Sequence, residues 1–211
     1  CVTLSTNNSL VRVNNMTQRD SRSTRPLMTA LLLSALLAGC TTVTSVTNPG
    51  TIDEDYGERT LGATVEDESI ETKAAHNLGR VDARLKDARI NVDSYNGVVL
   101  LTGQVPSEEL KQRAEEIVSQ VRNVRRVHNE LSVAANLPTS QRLNDAWLDT
   151  KARTALATSD QVDSGRITVV TENATVYLMG LVTHAEADRA VNVVSNAGGM
   201  ERIVKVFDYI D

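Results

Sequence analysis

The side chains best suited to catalysis are scattered along this chain of 211 residues. The three histidines, His76, His128 and His184, lie far apart, and none has a His or Glu partner at zinc-ligand spacing. The chain also lacks a glycine-rich phosphate loop and a Gly-x-Ser-x-Gly turn. Paired carboxylates such as Glu108 and Glu109 are typical of a solvated helix face. We therefore predict no catalytic residue and no metal site, and a protein that is not an enzyme.

Cys40 is the residue whose neighbours do indicate a reaction. It follows an apolar run, Leu27–Ala38, and three arginines precede that run. A basic segment, an apolar stretch and small residues form a secretory signal peptide, and the run is shorter than the roughly 20 residues of a membrane-spanning helix. Leu36-Leu37-Ala38-Gly39-Cys40 resembles the lipobox of bacterial lipoproteins. The resemblance implies cleavage before Cys40 and lipidation of its thiol and new amino group, with no other cofactor.

This interpretation defines the segments of the chain and therefore the net charge of the mature protein. Residues 1–39 are predicted as a signal peptide, with an over-extended start before Met16, and residues 40–67 as a lipidated, acidic, flexible tether. Residues 40–211 carry 18 basic and 26 acidic side chains, a formal net charge of −8. That balance argues against binding nucleic acid over a broad surface. The mature chain has no second cysteine, so no disulfide forms within it.

The rest of the chain contains one unit twice. The segment ETKA at 71–74 matches DTKA at 149–152, and RINV at 89–92 matches RITV at 166–169. The apolar run at 98–105 matches the run at 175–182, again 77 positions later. Two copies are too few for a solenoid, so we predict tandem domains at 68–134 and 142–211, with a linker at 135–141.

Each copy has the same predicted order of elements. In the first copy, Ile70, Ala74 and Leu78 share one helix face. Alternating apolar residues flank Asn96-Gly97, which is a strong hairpin signal, and a second helix and a closing strand follow. The fold class is therefore α+β, in the order helix-strand-strand-helix-strand, with two helices on one face of a three-stranded mixed sheet. Asn173-Ala174 replaces Asn-Gly in the second copy, and because Ala resists positive φ we expect another turn type there.

These features resemble the BON domain, which carries a hairpin ending in Leu-x-Gly. Leu101-Thr102-Gly103 and Leu178-Met179-Gly180 match that pattern, and we expect both glycines to be structural, at a bulge or a close approach. With the lipobox in front, the chain is similar to dual-BON outer-membrane lipoproteins. That resemblance implies a lipid-anchored protein on the periplasmic face of the outer membrane, supporting envelope integrity at the division site. Thr41 fits outer-membrane sorting, because Asp after the lipidated cysteine favours inner-membrane retention in many enteric-like bacteria.

The first helix of the second copy carries the only tryptophan. Trp147 lies beside the expected core stripe of Leu148, Ala152, Ala155 and Leu156, and Ser69 holds its place in the first copy. A tryptophan near a lysine suits a bilayer interface, although it could instead pack on the linker or the other domain. The family resemblance implies that this helix binds anionic phospholipid. The candidate lipid-binding residues are Trp147, Lys151, Arg153, Leu143 and Thr154.

Two functions therefore remain open from the sequence. The first is a non-enzymatic outer-membrane lipoprotein whose second domain binds an anionic phospholipid surface and is braced by the first domain. The alternative is a periplasmic scaffold that docks an envelope protein or a peptidoglycan-remodelling partner. Dependence on anionic headgroups and on ionic strength distinguishes the two.

Overall fold

The computed structural model describes residues 59–211, so Cys40, the predicted signal peptide and most of the predicted tether lie outside the described residues. The first domain consists of α1 (Leu61–Val81), α2 (Ala83–Asp87), β1 (Arg89–Tyr95), β2 (Val98–Val105), α3 (Glu108–Ser119), β3 (Arg126–Asn129) and β4 (Ser132–Val133). The second consists of α4 (Thr139–Ala157), a 3-10 turn (Ser164–Arg166), β5 (Ile167–Glu172), β6 (Thr175–Val182), α5 (His184–Ala197) and β7 (Arg202–Tyr209).

Both domains begin earlier than the sequence pattern suggests. Helix α1 starts at Leu61, before the expected boundary at residue 68, because the Thr60 side chain caps it by accepting from the Ala63 N–H. Helix α4 starts at Thr139, inside the expected linker at 135–141. The first turns of both helices are largely exposed, and an apolar stripe becomes visible only where a helix meets the core.

The first sheet has β2 at its centre. Strand β1 pairs with it antiparallel, and β3 and β4 pair with its other edge in parallel. The expected closing strand is broken at Glu130 and Leu131, and Leu131 turns its side chain into the core. The second sheet repeats this arrangement with an unbroken β7, in the order β5-β6-β7.

The two hairpin turns have the same geometry, which corrects the expectation that the second would differ. Asn96 and Gly97 have φ of 52° and 74°, and Asn173 and Ala174 have φ of 48° and 57°. Positive φ at both central residues is the type I′ signature that suits a two-residue hairpin. Ala174 therefore adopts a left-handed conformation despite its Cβ, and the surrounding structure must hold it there.

Alternate residues of the central strands serve two different cores. In β2, Val99 and Leu101 face α1 and α3, whereas Val98 and Leu100 face the second domain. In β6, Val176 and Leu178 face α4 and α5, whereas Tyr177 and Met179 face the first domain. The described residues therefore form four layers, with two sheets face to face inside and helices on each outer side.

Equivalent positions of the two copies pair crosswise between the sheets. The Tyr95 hydroxyl donates to the carbonyl oxygen of Arg166 at 3.0 Å. Glu172, the equivalent of Tyr95, lies 3.5 Å from Arg89, the equivalent of Arg166. The buried Glu172 also accepts from the amide of Gln104 at 2.7 Å. Strand β1 consequently lies beside β5, and the domain contact has approximate two-fold character.

Strands β3 and β7 lie beside each other at the opposite margin of this contact. Arg126 reaches Asp208 at 3.3 Å. Its equivalent in the second domain, Arg202, reaches Glu130 at the same distance. Ion pairs at both margins and an apolar centre therefore hold the sheets together, and this contact braces the second domain against the first.

Candidate functional site

Helix α4 is positioned by one buried apolar stripe. Leu148, Ala152 and Leu156 are buried against the second sheet, as the periodicity predicts. Ala155, the fourth residue expected in that stripe, is only half-buried at its edge. The remaining faces of the helix point to solvent or to the margin of the domain contact, so they are free to carry binding residues.

One exposed face of α4 brings together four of the five candidate residues. At about 100° per residue, Leu143, Trp147, Lys151 and Thr154 fall within about 80° of one another. The side chains of Leu143 and Trp147 are large and apolar, yet the residues are 68% and 57% exposed. Thr154 is exposed and donates to the carbonyl oxygen of Thr150 at 2.8 Å. We call these four residues the Trp147 surface.

Lys151 joins this surface to the end of the neighbouring helix. Its ammonium nitrogen lies 4.8 Å from the centre of the Trp147 ring, a cation–π contact. It also donates to the carbonyl oxygen of Gly198 at 3.0 Å, just beyond α5. Gly199 lies so close that a Cβ there would be 3.6 Å from the indole. The ring therefore rests on a lysine and a loop without side chains, while one of its sides stays open to solvent.

Arg153 does not belong to this surface. It lies about 120° around the helix from Trp147, on the far side of the buried stripe. Its guanidinium pairs with Asp149 at 2.6 Å and donates to the carbonyl oxygen of Val169 on the edge strand β5. The structure therefore separates Arg153 from Trp147 and Lys151 and gives it protein partners.

The Trp147 surface lies on the face of α4 that carries no carboxylate. The face of α4 centred on Trp147 carries threonine and serine beside the apolar pair, and its only charged side chain is Lys151. No acidic residue occupies this face between Ser140 and Thr158. Within α4, the carboxylates therefore lie away from one exposed, apolar and weakly basic face.

A buried aspartate fixes the first turns of α4 to the hairpin, a role that we did not predict from the sequence. Asp145 is 5% exposed and accepts from the backbone N–H groups of Asn173 and Ala174 at 3.0 and 2.8 Å. Asp67 occupies the equivalent position of α1 and accepts from the N–H groups of Asn96 and Gly97. An aspartate repeated at the same spacing in both copies was the signal that could have revealed this role.

Within residues 59–211, the site contains neither a metal cluster nor a membrane-spanning element. No group of three or more potential ligands among the described side chains could hold a metal ion. None of the helices in the described range is long and apolar enough to cross a bilayer.

Comparison with known proteins identifies both repeats. The model of a family described as the BON domain matches residues 66–135 and 144–211. The outer membrane lipoprotein DolP of Haemophilus influenzae is 35% identical over 187 residues, covering 86% of this chain and 95% of that protein.

Two further relatives align with most of this chain. A 21 kDa hemolysin of Actinobacillus pleuropneumoniae is 35% identical over 153 residues, covering 72% of this chain and 78% of that protein. The osmotically-inducible protein Y of Escherichia coli is 25% identical over 197 residues, covering 89% of this chain and 96% of that protein. Similarity to these relatives therefore extends well beyond a single repeat.

Proposed function

This chain belongs to the BON-domain family as a dual-BON outer-membrane lipoprotein, and from that premise we propose that it is a non-enzymatic protein that binds anionic phospholipid on the periplasmic face. Cys40 carries the anchoring acyl chains, and the Trp147 surface makes the reversible contact. The observation that carries the proposal is the exposed pair Leu143 and Trp147 beside the ammonium of Lys151.

The chemistry of the Trp147 surface suits the headgroup region of a bilayer. Tryptophan prefers this region because its apolar ring lies among the upper acyl segments while its N–H stays near water and polar groups. Leu143, one turn earlier, adds apolar area on the same face. Lys151 supplies a positive charge, which is attracted to anionic lipid by about 1 kcal/mol. The absence of carboxylates from this helix face avoids close-range repulsion of anionic headgroups.

The four-layer arrangement is compatible with a lipid anchor at the other domain. Helices α1 and α4 lie on opposite outer sides of the described residues. Packed layers are about 10 Å apart, so the distance across the layers is about 30 Å. Residues 41–58 could span at most about 60 Å, at about 3.4 Å per residue. An anchored Cys40 and a membrane-facing Trp147 surface are therefore sterically compatible.

Vesicle co-sedimentation tests this proposal. A soluble form beginning at Thr41 should bind vesicles containing anionic lipid, bind neutral vesicles weakly, and lose affinity as salt is raised. Trp147→Glu should abolish binding while circular dichroism shows an unchanged fold, because the residue is exposed. Ser69→Glu, at the equivalent position of α1, is the matched control and should leave binding unchanged.

Substitutions of Lys151 and Arg153 distinguish a residue that contacts lipid from one that is engaged with protein groups. Lys151→Ala should weaken binding about fivefold, the equivalent of about 1 kcal/mol, and reduce its salt dependence. Arg153→Ala should change binding less, because its guanidinium is engaged with Asp149 and Val169. Full binding by a folded Trp147→Glu protein would exclude the Trp147 surface as the lipid site. Binding of an envelope protein without any lipid would favour a scaffold instead.

The cellular part of the proposal is support of envelope integrity at the division site. A fluorescent fusion of the intact chain should concentrate at division sites, and Trp147→Glu should disperse it over the envelope. Cys40→Ala should release the protein from the outer-membrane fraction, because stable attachment needs acyl chains in addition to a weak surface contact. Outer-membrane retention of Cys40→Ala at high salt would contradict the anchoring assignment.

A further inference from the structure

Asp93 lies at the centre of the margin where the two domains meet. The amide of Asn91 lies 3.3 Å from Glu172, at the end of β5, and the Tyr95 hydroxyl lies 3.0 Å from the Arg166 carbonyl, just before β5. Strands β1 and β5 therefore run side by side in opposite directions. Asp93, midway between Asn91 and Tyr95, falls opposite the middle of β5.

The side chain of Asp93 points into the domain contact. Asp93 pairs with Leu100 in the antiparallel register, and residues paired in this way share a face of the sheet. Leu100 is fully buried in the apolar cluster between the domains. The Oδ2 atom of Asp93 is likewise buried and has no hydrogen-bond partner among the described residues. A carboxylate oxygen in that position is stabilised by protonation, since a buried unpaired charge is costly.

The charged groups that face Asp93 come from both domains. From the first domain, Glu71 on α1 accepts from the Ser94 N–H at 2.8 Å. From the second domain, Asp149 and Arg153 on α4 flank β5, where Arg153 donates to the Val169 carbonyl. We call Glu71, Asp93, Asp149 and Arg153 the interdomain acid cluster.

The interdomain acid cluster has three acidic side chains and one basic side chain. Burial raises the pKa of Asp93 to about 6, and the charges of Glu71 and Asp149 act in the same direction, while Arg153 opposes them. Burial also raises the pKa of Glu71. Three carboxylates thus face one guanidinium, which is already bonded to Asp149 and to the Val169 carbonyl, and one proton on Asp93 relieves the repulsion.

We propose that the interdomain acid cluster makes the contact between the first domain and helix α4 responsive to acid, with protonation of Asp93 tightening it. This inference does not depend on lipid binding. It assigns Arg153 to the domain contact, as the cation that limits the repulsion when Asp93 is ionised. Acidification would hold the two domains more firmly, and neutral pH would loosen their pairing.

The sign follows from proton binding in the folded and unfolded chains. An aspartate with a raised folded-state pKa binds its proton more tightly in the folded protein, so its contribution is fully present below its ordinary value and is lost as pH rises through about 6. A rise from 3.8 to about 6 corresponds to about a hundredfold change in the unfolding equilibrium constant, as an upper value.

Chemical unfolding between pH 4.5 and 8, without lipid, provides the test. Asp93→Asn mimics the protonated form, so its gain in stability over the wild type should be smallest at pH 4.5 and should grow as pH rises through about 6. At pH 7.5 it should lower the unfolding equilibrium constant by about tenfold to a hundredfold. Asp188→Asn is the matched control, because Asp188 is an exposed acid whose pKa Lys205 lowers. The control should therefore show no such gain at neutral pH.

A double-mutant cycle tests whether Asp93 of the first domain and Arg153 of the second domain interact. Arg153→Gln should raise the pKa of Asp93, followed by NMR of its carboxyl carbon, and steepen the loss of stability toward neutral pH. In an Asp93→Asn background, Arg153→Gln should change the pH profile less than it does in the wild type, and the difference measures the coupling between Asp93 and Arg153. Identical pH profiles for wild type and Asp93→Asn, or an Asp93 pKa unaffected by Arg153→Gln, would overturn the proposal.

Discussion

The two domains share a backbone plan but differ on the outer face of their first helix. Both fix that helix to the hairpin through a buried aspartate, and both place a glycine where the first two strands approach closely. On the outer face, Ser69 of α1 stands where α4 has Trp147, while Lys73 and Lys151 occupy equivalent positions. The comparison teaches that the fold constrains buried positions and leaves this outer face free to diverge, so binding can differ between two copies of one architecture.

The largest losses of stability should come from substituting the strand glycines Gly103 and Gly180. Both domains should be destabilised for the same reason. A Cβ at Gly103 would lie inside contact distance of the Arg89 carbonyl oxygen, and φ there is 118°. A Cβ at Gly180 would lie 2.5 Å from the Arg166 carbonyl oxygen, without a positive φ. Gly103→Val should cost about 4 kcal/mol in unfolding free energy and Gly180→Val about 3 kcal/mol, measured by chemical denaturation.

This prediction also separates structural glycines from binding residues. Both variants should lose vesicle binding only to the extent that they unfold. Wild-type melting temperatures for the two proteins would show that the close approach is not a constraint. A larger loss at Gly180 than at Gly103 would show that the positive φ adds no strain.

The structural role of these glycines could be predicted from the sequence because it depends on local strand geometry. Leu101-Thr102-Gly103 and its repeat end a hairpin strand, and the structure confirms a close approach to the neighbouring strand there, while the paired register shows no bulge. The helix stripes and hairpins were predictable for the same reason, since each depends on the spacing of nearby residues. The starts of α1 and α4 were not predicted, because their first turns are largely exposed and add nothing to the apolar stripe.

The buried aspartates should give the next largest effects, with the first domain more sensitive. Asp67 accepts from the Ser94 hydroxyl and two turn N–H groups and pairs with Arg59 at 2.9 Å. Asp145 accepts from two turn N–H groups and, at 3.4 Å, from Gln141. Asp67→Ala should cost about 3 kcal/mol and Asp145→Ala about 2 kcal/mol, because each leaves turn N–H groups without their acceptor.

Thermal unfolding at neutral pH measures that difference, and exposed acids on the same helices are suitable controls. Glu68→Ala on α1 should change stability little, because its side chain is exposed and makes no hydrogen bond within the described residues. Equal losses at Asp67 and Asp145 would show that the additional partners of Asp67 contribute nothing. An unchanged hairpin conformation in Asp145→Ala would show that Ala174 holds its positive φ without help.

The packing of the two sheets and the role of Arg153 could not be read from the sequence. Both depend on the angle between domains, which no local spacing encodes. One signal was present, because the runs at 98–105 and 175–182 are apolar on both faces, as expected for strands covered on two sides. Helical periodicity did place Arg153 away from Trp147, but its partners on β5 follow only from the assembled sheet.

A third prediction transfers the distinguishing residue from one domain to the other. Ser69→Trp places an indole on α1 with Val65 one turn before it and Lys73 one turn after it, as in the Trp147 surface. In a Trp147→Ala background it should restore part of the binding to anionic vesicles, about fivefold above that background, if an exposed aromatic beside a lysine is sufficient. No restoration by a folded protein would show that the Gly198-Gly199 loop beside Trp147 is also required.

The smallest effect concerns the two hairpin turns, where the copies differ by one Cβ. Ala174 has φ of 57° at a position where Gly97 has 74°, and the left-handed conformation costs an alanine about 1 kcal/mol relative to glycine. Ala174→Gly should therefore stabilise the protein by about 0.5 kcal/mol, since the greater flexibility of an unfolded glycine offsets part of the gain. Gly97→Ala should be destabilising by more than that, because a Cβ there would lie 2.7 Å from the Asn123 carbonyl oxygen. The opposite signs can be measured in one set of denaturant titrations. If Ala174→Gly destabilises instead, the buried methyl group must contribute more through packing than its backbone strain costs, and the second turn would be adapted to alanine.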